Sequence, residues 1–400
     1  MDADFAKTAL VPFDFRPATR VVFGNGAIRR LGELVQDIGA RHVLLVTDKG
    51  VVHAGHAERA QAALRQAGVA VSLFDEVRPN PTTLDVARCV AAARAAGIDA
   101  FVGLGGGSAM DTAKGGNFIL TNGGEMKDYW GVGKATKPML PLVAIPTTAG
   151  TGSECQSAAL IADEQTHQKM ACLDPKAAAR VALLDPELTV SQPAGVTAAT
   201  GIDALAHSVE SAVTTSRNAV SLGYAREAFT LCAAGLPQVL ARPHDLAARG
   251  QMLLGASFAG MAIENSMLGA AHAAANPLTA HWSVVHGHAV GLMLPHVVRF
   301  NAVDPGICRI YADLARSEGL AGGETSDLEA ASKLADWIAR LLGRAGLPRT
   351  LREAGADPTQ IPPCAVEAAS QWTARFNPRA LTVDDFRALY TAAAESPAGT

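Results

Sequence analysis

The sequence predicts an α/β domain built on a parallel sheet, followed by an all-helical domain. Three observations predict this. Up to about residue 190, short and continuously apolar runs alternate with helical segments, the pattern of a parallel sheet covered on both faces. From about Pro193 onward no convincing strand pattern appears. The 400 residues are 49% hydrophobic and only 18% charged, a core-rich composition with room for two domains. The expected domains are 1–190 and 191–400.

Taken in order, residues 1–20 form a poorly patterned arm. Arg20-Val21-Val22-Phe23 reads as a strand, and Gly24-Asn25-Gly26 after it as a plain turn, since Arg29 replaces the last glycine of a G-x-G-x-x-G fingerprint. Ala27 to Ile38 has helical periodicity. His42-Val43-Leu44-Leu45-Val46-Thr47 is a strand ending at Asp48, and His56 to Gly68 a helix. Ala70 to Phe74 is a strand. Thr83 to Ala96 is a helix with Thr82 or Thr83 available as its cap. Ala100 to Gly103 is a strand, Ser108 to Leu120 a helix, and Leu142 to Ile145 and Val181 to Leu184 are buried strands. Helical runs then follow at roughly 198–214, 217–240, 244–264, 266–280, 285–300, 303–317, 327–345 and 382–395.

Composition also excludes some functions. A net charge of −4 gives no nucleic-acid footprint. The six cysteines are scattered without C-x-x-C, so reduced thiols and a cytoplasmic setting are expected. Met1-Asp2-Ala3-Asp4 is acidic and unlike a signal peptide. The longest apolar stretch, Leu253 to Leu278, is broken by Glu264, Asn265, His272 and Asn276, so no membrane span is expected.

Two groups of residues suggest chemistry. Gly103-Leu104-Gly105-Gly106-Gly107-Ser108 joins a strand to a helix. Glycines there let backbone N–H groups approach a pyrophosphate at a helix N-terminus. Ser108 reads as the cap of that helix, with Asp111 as its capping-box partner. Asp48, at an earlier strand end, can accept both ribose hydroxyls of an adenosine and repel a 2′-phosphate, which favours NAD over NADP. The loop Pro146-Thr147-Thr148-Ala149-Gly150-Thr151-Gly152-Ser153-Glu154 can line a nucleotide crevice, and Lys169 could reach a ribose hydroxyl or merely lie along the surface.

The second group lies between Gly201 and His296. Asp203 and His207 are four apart in an alanine-rich helical segment and share one face. Five of the eleven histidines fall between His272 and His296, in segments too apolar to be solvated loops. A carboxylate and several imidazoles in dry surroundings suit a divalent transition metal. A satisfied polar pair on a buried helix would explain Asp203 and His207 alone, but leaves the downstream histidines without partners.

In order along the chain, Gly105-Gly106-Gly107-Ser108-x-x-Asp111-x-Ala113-Lys114, the Pro146 to Glu154 loop, Asp203-x3-His207, His272 and His286-Gly287 resemble the iron-containing (group III) alcohol dehydrogenases. The resemblance runs from about Arg20 to Asn301. It implies a Rossmann-like nucleotide-binding domain and a helical domain, an architecture shared with dehydroquinate synthase, with the active site in the cleft between them. It also implies metal ligands at Asp203, His207, His272 and His286, with Fe(II) or sometimes Zn(II). Cofactor contacts for NAD would be Asp48, Asn80, Gly106, Gly107, Ser108, Thr147, Thr148, Thr151, Lys169 and Leu188, and the glycine-loop reading adds Gly105 and Asp111. A homodimer is implied too. One departure stands out: the family's usual second histidine, four residues after His272, is Asn276, which cannot carry a proton near neutral pH. His281 and His288 are extra imidazoles able to bind substrate, donate a proton or rival His286.

The expected reaction is reversible hydride transfer between NAD(H) and an alcohol with its aldehyde or ketone. Three imidazoles and one carboxylate around a dication would leave the centre net positive. Two rivals share the family: a maleylacetate-type reductase and a hydroxyacid–oxoacid transhydrogenase. A third, of another class, is an NAD-using lyase resembling dehydroquinate synthase. Residues 200–300 carry few cations for the anionic substrates that the reductase and the lyase would need.

Overall fold

A computed structural model describes residues 12–15, 17–166 and 168–395. The acidic start and most of the 1–20 arm lie outside the described residues. These divide into two compact units, with the break between Gln192 and Pro193, and residues 12–15 belong with the second.

The first unit holds a six-stranded, fully parallel sheet. Its strands are β1 (Arg20–Phe23), β2 (His42–Val46), β3 (Ala70–Phe74), β4 (Ala100–Gly105), β6 (Leu142–Pro146) and β9 (Val181–Leu184). Their order is β1-β9-β6-β4-β2-β3. The apolar runs are continuous because both faces are buried. Val43, Leu45, Val102, Leu104, Val143 and Ile145 pack on one side, with Leu31, Leu34 and Leu64. Leu44, Val46, Phe101, Leu142 and Ala144 pack on the other, with Cys89, Ala93 and Met110. Each fully buried side chain of this size contributes about 1.5–3 kcal/mol.

The helices of this unit are α1 (Leu31–Asp37), α2 (Lys49–His53), α3 (His56–Gln66), α4 (Thr83–Ala96) and α5 (Gly107–Asn122). Thr82 caps α4 in a capping box with Asp85, one of the two residues the sequence offers. The cap expected at Ser108 is a correction. Helix α5 starts one residue earlier, its N-cap is the extended Gly106, and no side chain caps it. The expected helix over 27–38 is a 3-10 turn, Ala27–Arg30, running into α1.

A second sheet was not foreseen. It joins β5 (Gly131–Val132), β7 (Ala158–Ala162) and β8 (Lys169–Leu173) in the order β5-β8-β7, with β7 and β8 antiparallel. The strand β5 has only two residues and β7 is rich in alanine, which weakens the strand signal.

The second unit has helices and no strand among its described residues from Pro193 on. Its helices are α6 (Ala194–Ser211), α7 (Ala219–Ala241), α8 (Leu246–Ser266), α9 (Ala270–Trp282), α10 (His286–Asn301), α11 (Pro305–Ser317), α12 (Asp327–Arg344), α13 (Ile361–Ser370) and α14 (Val383–Glu395). Eight match the predicted runs within a few residues. Helix α13 has no counterpart among the predicted runs; Pro362 and Pro363 lie in its first turn, where N–H groups have no partner anyway. Helix α6 is buried at every position from Gly201 to Ser211, so it is a core helix rather than a surface one.

Candidate active site

The candidate metal centre is built on α6, α9 and the start of α10. Four residues of helix bring Asp203 and His207 onto one face of α6, and His272 sits in the first turn of α9. One donor atom from each of these three lies within 4.8 Å of the others, and all three residues are buried. Asp203 Oδ1 is 3.6 Å from His207 Nε2 and 3.5 Å from His272 Nε2. The His207 and His272 rings stack with centroids 4.8 Å apart. His286, the first residue of α10, is half-buried, with its ring 5.5 Å from that of His272. The close group is therefore three residues, with the fourth expected ligand beside it. A Cβ on Gly287 would lie 2.1 Å from the Ala199 carbonyl oxygen and 2.9 Å from Asp203 Cβ, so glycine is what lets α10 approach α6 here.

These residues fit a divalent cation. Asp203 Oδ1 and His272 Nε2 are buried 3.5 Å apart and neither has a hydrogen-bond partner, which leaves both atoms available to a cation once the ring is neutral. Donors about 2.1 Å from one cation at tetrahedral angles lie about 3.4 Å from each other, close to the separations seen.

Glu210, outside the expected ligand set, lies one turn beyond His207 and is buried. It accepts hydrogen bonds from His272 Nδ1 and from the Ala271 N–H, the latter at 2.7 Å. Its spacing was readable as Asp203-x3-His207-x2-Glu210, three acidic or imidazole groups on one helix face. With Glu210 the surroundings hold a second carboxylate beside the expected set of one carboxylate and three imidazoles. Burial would raise the Asp203 carboxyl, but His207, His272 and His286 outweigh it and hold it well below the usual range. Burial likewise opposes a charged His272, yet Glu210 and Asp203 raise it to about 9.

The extra imidazoles are engaged elsewhere. His281 pairs with Glu367 at 2.8 Å on the surface, and His288 meets the Pro348 carbonyl oxygen at 2.9 Å. Asn276 donates from Nδ2 to Gln371 Oε1 at 2.9 Å.

The nucleotide loop forms in the first unit. Asp48 caps α2, accepting from the Val51 N–H at 3.0 Å through Oδ1, and its Oδ2 faces Gly105, 3.4 Å from where a Cβ would be. Gly105 has φ +151°, a conformation side chains disfavour. Its carbonyl accepts from the Thr147 N–H at 2.9 Å. Gly106 faces Thr148, and a Cβ on Gly107 would meet Thr151 Cγ2 at 2.9 Å. Asp48, Gly105, Gly106, Gly107, Thr147, Thr148 and Thr151 are thus brought together, with Ser108 in the first turn of α5.

Other expected contacts are placed differently. Asp111 is buried and accepts from Ser153 Oγ at 2.9 Å, while Lys114 Nζ donates to the Ser153 carbonyl at 2.6 Å and to its Oγ at 2.9 Å. Burial pushes the Asp111 carboxyl up. Asp111 therefore ties down the threonine loop instead of capping α5. Leu188 is wholly buried among the core side chains and offers a ligand no surface. Asn80 occupies an exposed turn at φ +53°, and Lys169 is exposed at the start of β8.

Two expectations follow. Gly107→Ala forces the glycine loop off Thr151. NAD affinity should fall about tenfold, about 1.4 kcal/mol, in a fluorescence titration, with the melting temperature little changed; unaltered affinity would contradict the loop's role. The second concerns protons. At pH 7 a His272 raised to about 9 carries a proton, whereas a cation binds the neutral ring. Metal loading at pH 7 should release about one proton and strengthen as pH rises towards 9. The stability that the charged ring gives the metal-free protein is full below its ordinary value of 6.5 and lost through 9. Calorimetry in two buffers of different ionisation enthalpy measures the release; none at pH 7 would contradict the account.

Known proteins supply the remaining finding. The model of the family described as iron-containing alcohol dehydrogenase matches residues 18–186, and that of the C-terminal part of the Fe-containing alcohol dehydrogenase family matches 197–394. The chain is 35% identical to an NAD-dependent methanol dehydrogenase of Bacillus methanolicus, over 91% of this chain and 95% of that protein. It is 35% identical to a 1,3-propanediol dehydrogenase of Klebsiella pneumoniae, over 94% and 98% respectively. A solved alcohol dehydrogenase from Oenococcus oeni superposes with a TM-score of 0.92 at 32% identity, covering 96% of this chain and 100% of that one. The chain belongs to the iron-containing alcohol dehydrogenase family.

Proposed function

We propose that this oxidoreductase moves hydride reversibly between NAD(H) and a small alcohol or its aldehyde, using a divalent cation held by Asp203, His207, His272 and His286. The observation that carries this reading is the buried pair of unsatisfied donors, Asp203 Oδ1 and His272 Nε2, facing one another beside His207. A divalent cation there, Fe(II) with Zn(II) also suited, supplies a Lewis acid that eases loss of the hydroxyl proton and of the carbinol hydride.

The chain's own residues do the rest. The three buried donors hold and orient the cation, and the apolar body of α6 and α9 keeps bulk water from it. The glycine loop offers its N–H groups to the pyrophosphate. Asp48 accepts the ribose hydroxyls and favours NAD. Asn276 cannot pass a proton, and His281 and His288 are engaged, so the proton leaves through water or a ribose hydroxyl. Asp203 and Glu210 together disfavour an anionic substrate, which weighs against the maleylacetate-type and hydroxyacid readings. Relatives named for methanol and 1,3-propanediol support a short alcohol. The family resemblance supports a homodimer. Six buried cysteines that form no disulfide accord with a reducing, cytoplasmic setting, and no helix among the described residues is long and apolar enough to cross a membrane.

The test is activity after chelation. NADH formation from short alcohols should vanish on metal removal and return with Fe(II) or Zn(II), with NAD preferred over NADP. Full turnover in protein shown by elemental assay to hold no metal would overturn the proposal.

A further inference from the structure

We propose that Glu210 is a positioning residue for the cation: it holds the His272 ring by Nδ1 so that the Nε2 lone pair faces the metal position. The inference rests on the metal-site reading above.

Glu210 sits seven residues after Asp203 and three after His207, on the same face of α6. It is 3% exposed. One carboxylate oxygen, Oε2, takes His272 Nδ1, and the other, Oε1, takes the Ala271 N–H at 2.7 Å. A neutral imidazole has one N–H. A carboxylate, which only accepts, keeps that proton on Nδ1 and leaves Nε2 as the donor atom, directed at Asp203 Oδ1 3.5 Å away. Glutamine would be a poor substitute, because its amide NH2 would face one of the two N–H groups. The approach is built in: a Cβ on Gly269 would lie 3.0 Å from Glu210 Oε1 and 3.1 Å from Asn377 Oδ1.

The same geometry provides a control. The first N–H groups of α9 are shared between two acceptors. Ala270 N–H reaches Asn377 Oδ1 at 3.4 Å, and Ala271 N–H reaches Glu210. Asn377 is bonded to Asn301 through Nδ2 at 2.8 Å. It therefore serves the end of α9, while Glu210 serves that end and His272 together. If Glu210 merely capped the helix, the two residues would be equivalent.

The experiment uses the full chain. In 15N-histidine-labelled, Zn(II)-loaded wild type, long-range 1H–15N NMR should show His272 protonated at Nδ1 and metallated at Nε2. In Co(II) titrations followed by visible absorption, Glu210→Gln should weaken binding at least about tenfold and alter the Co(II) spectrum. Asn377→Ala should leave affinity within about twofold of wild type and the spectrum unaltered. Equal weakening by both variants reduces Glu210 to a helix cap and overturns the proposal. A wild-type His272 metallated at Nδ1 overturns it also, and needs no variant to fold. If wild type binds neither Zn(II) nor Co(II), the metal-site reading itself fails and takes this one with it. If wild type binds both but Glu210→Gln matches it, only the role of Glu210 falls.

Discussion

A buried carboxylate oxygen and a buried ring nitrogen that face each other without a hydrogen bond are the constraint around which the helical unit is arranged. Asp203 Oδ1 and His272 Nε2 lie 3.5 Å apart in the interior, where the carboxylate helps hold the ring protonated, and neither has a hydrogen-bond partner. The fold keeps them there by other means. Helix α6 is buried along the segment carrying Asp203, His207 and Glu210, so these groups cannot turn to solvent. Gly287 lets α10 come within contact of the Ala199 carbonyl, and Gly269 leaves room for the Glu210 carboxylate. Small residues at these positions exchange packing for a polar centre of fixed geometry, the trade expected where a protein holds a cation instead of filling its core.

The nucleotide loop follows a similar logic with neutral groups. Gly105, Gly106 and Gly107 bring bare backbone against Thr147, Thr148 and Thr151, and the threonine loop is anchored from behind. Lys114 donates to Ser153 and to the Ala158 carbonyl, and Ser153 in turn donates to Asp111. The lysine and the aspartate are both buried, and each is bonded to Ser153, so their charges lie close together beneath the loop. The residues that read in sequence as a phosphate motif thus split into a glycine–threonine surface and a buried knot beneath it.

What the sequence made legible follows from period and spacing. The strands of the large sheet were readable because both faces are buried, so that Val43 to Val46 and Leu142 to Ile145 have no polar interruptions. Asp203, His207 and His272 were readable because polar groups in an alanine-rich context are conspicuous. The small sheet was not, since Ala158 to Ala162 carries little β-branched signal. Helix α13, with Pro362 and Pro363 in its first turn, was not either. Burial is a property of the fold that spacing does not show: it places Leu188, a contact implied by the resemblance, in the core, and Asp111, a cap partner by its spacing, under the threonine loop. Glu210 was passed over although it continues the same helix face, because a lone glutamate resembles a solvated charge until its partner on another helix is known.

The most direct measurement is anomalous diffraction from crystals of the protein grown with Zn(II), recorded on both sides of the zinc absorption edge. The account predicts one strong peak per chain among Asp203 Oδ1, His207 Nε2 and His272 Nε2. A zinc peak anywhere else with that position empty, or no peak in protein that elemental analysis shows to be loaded, would contradict it.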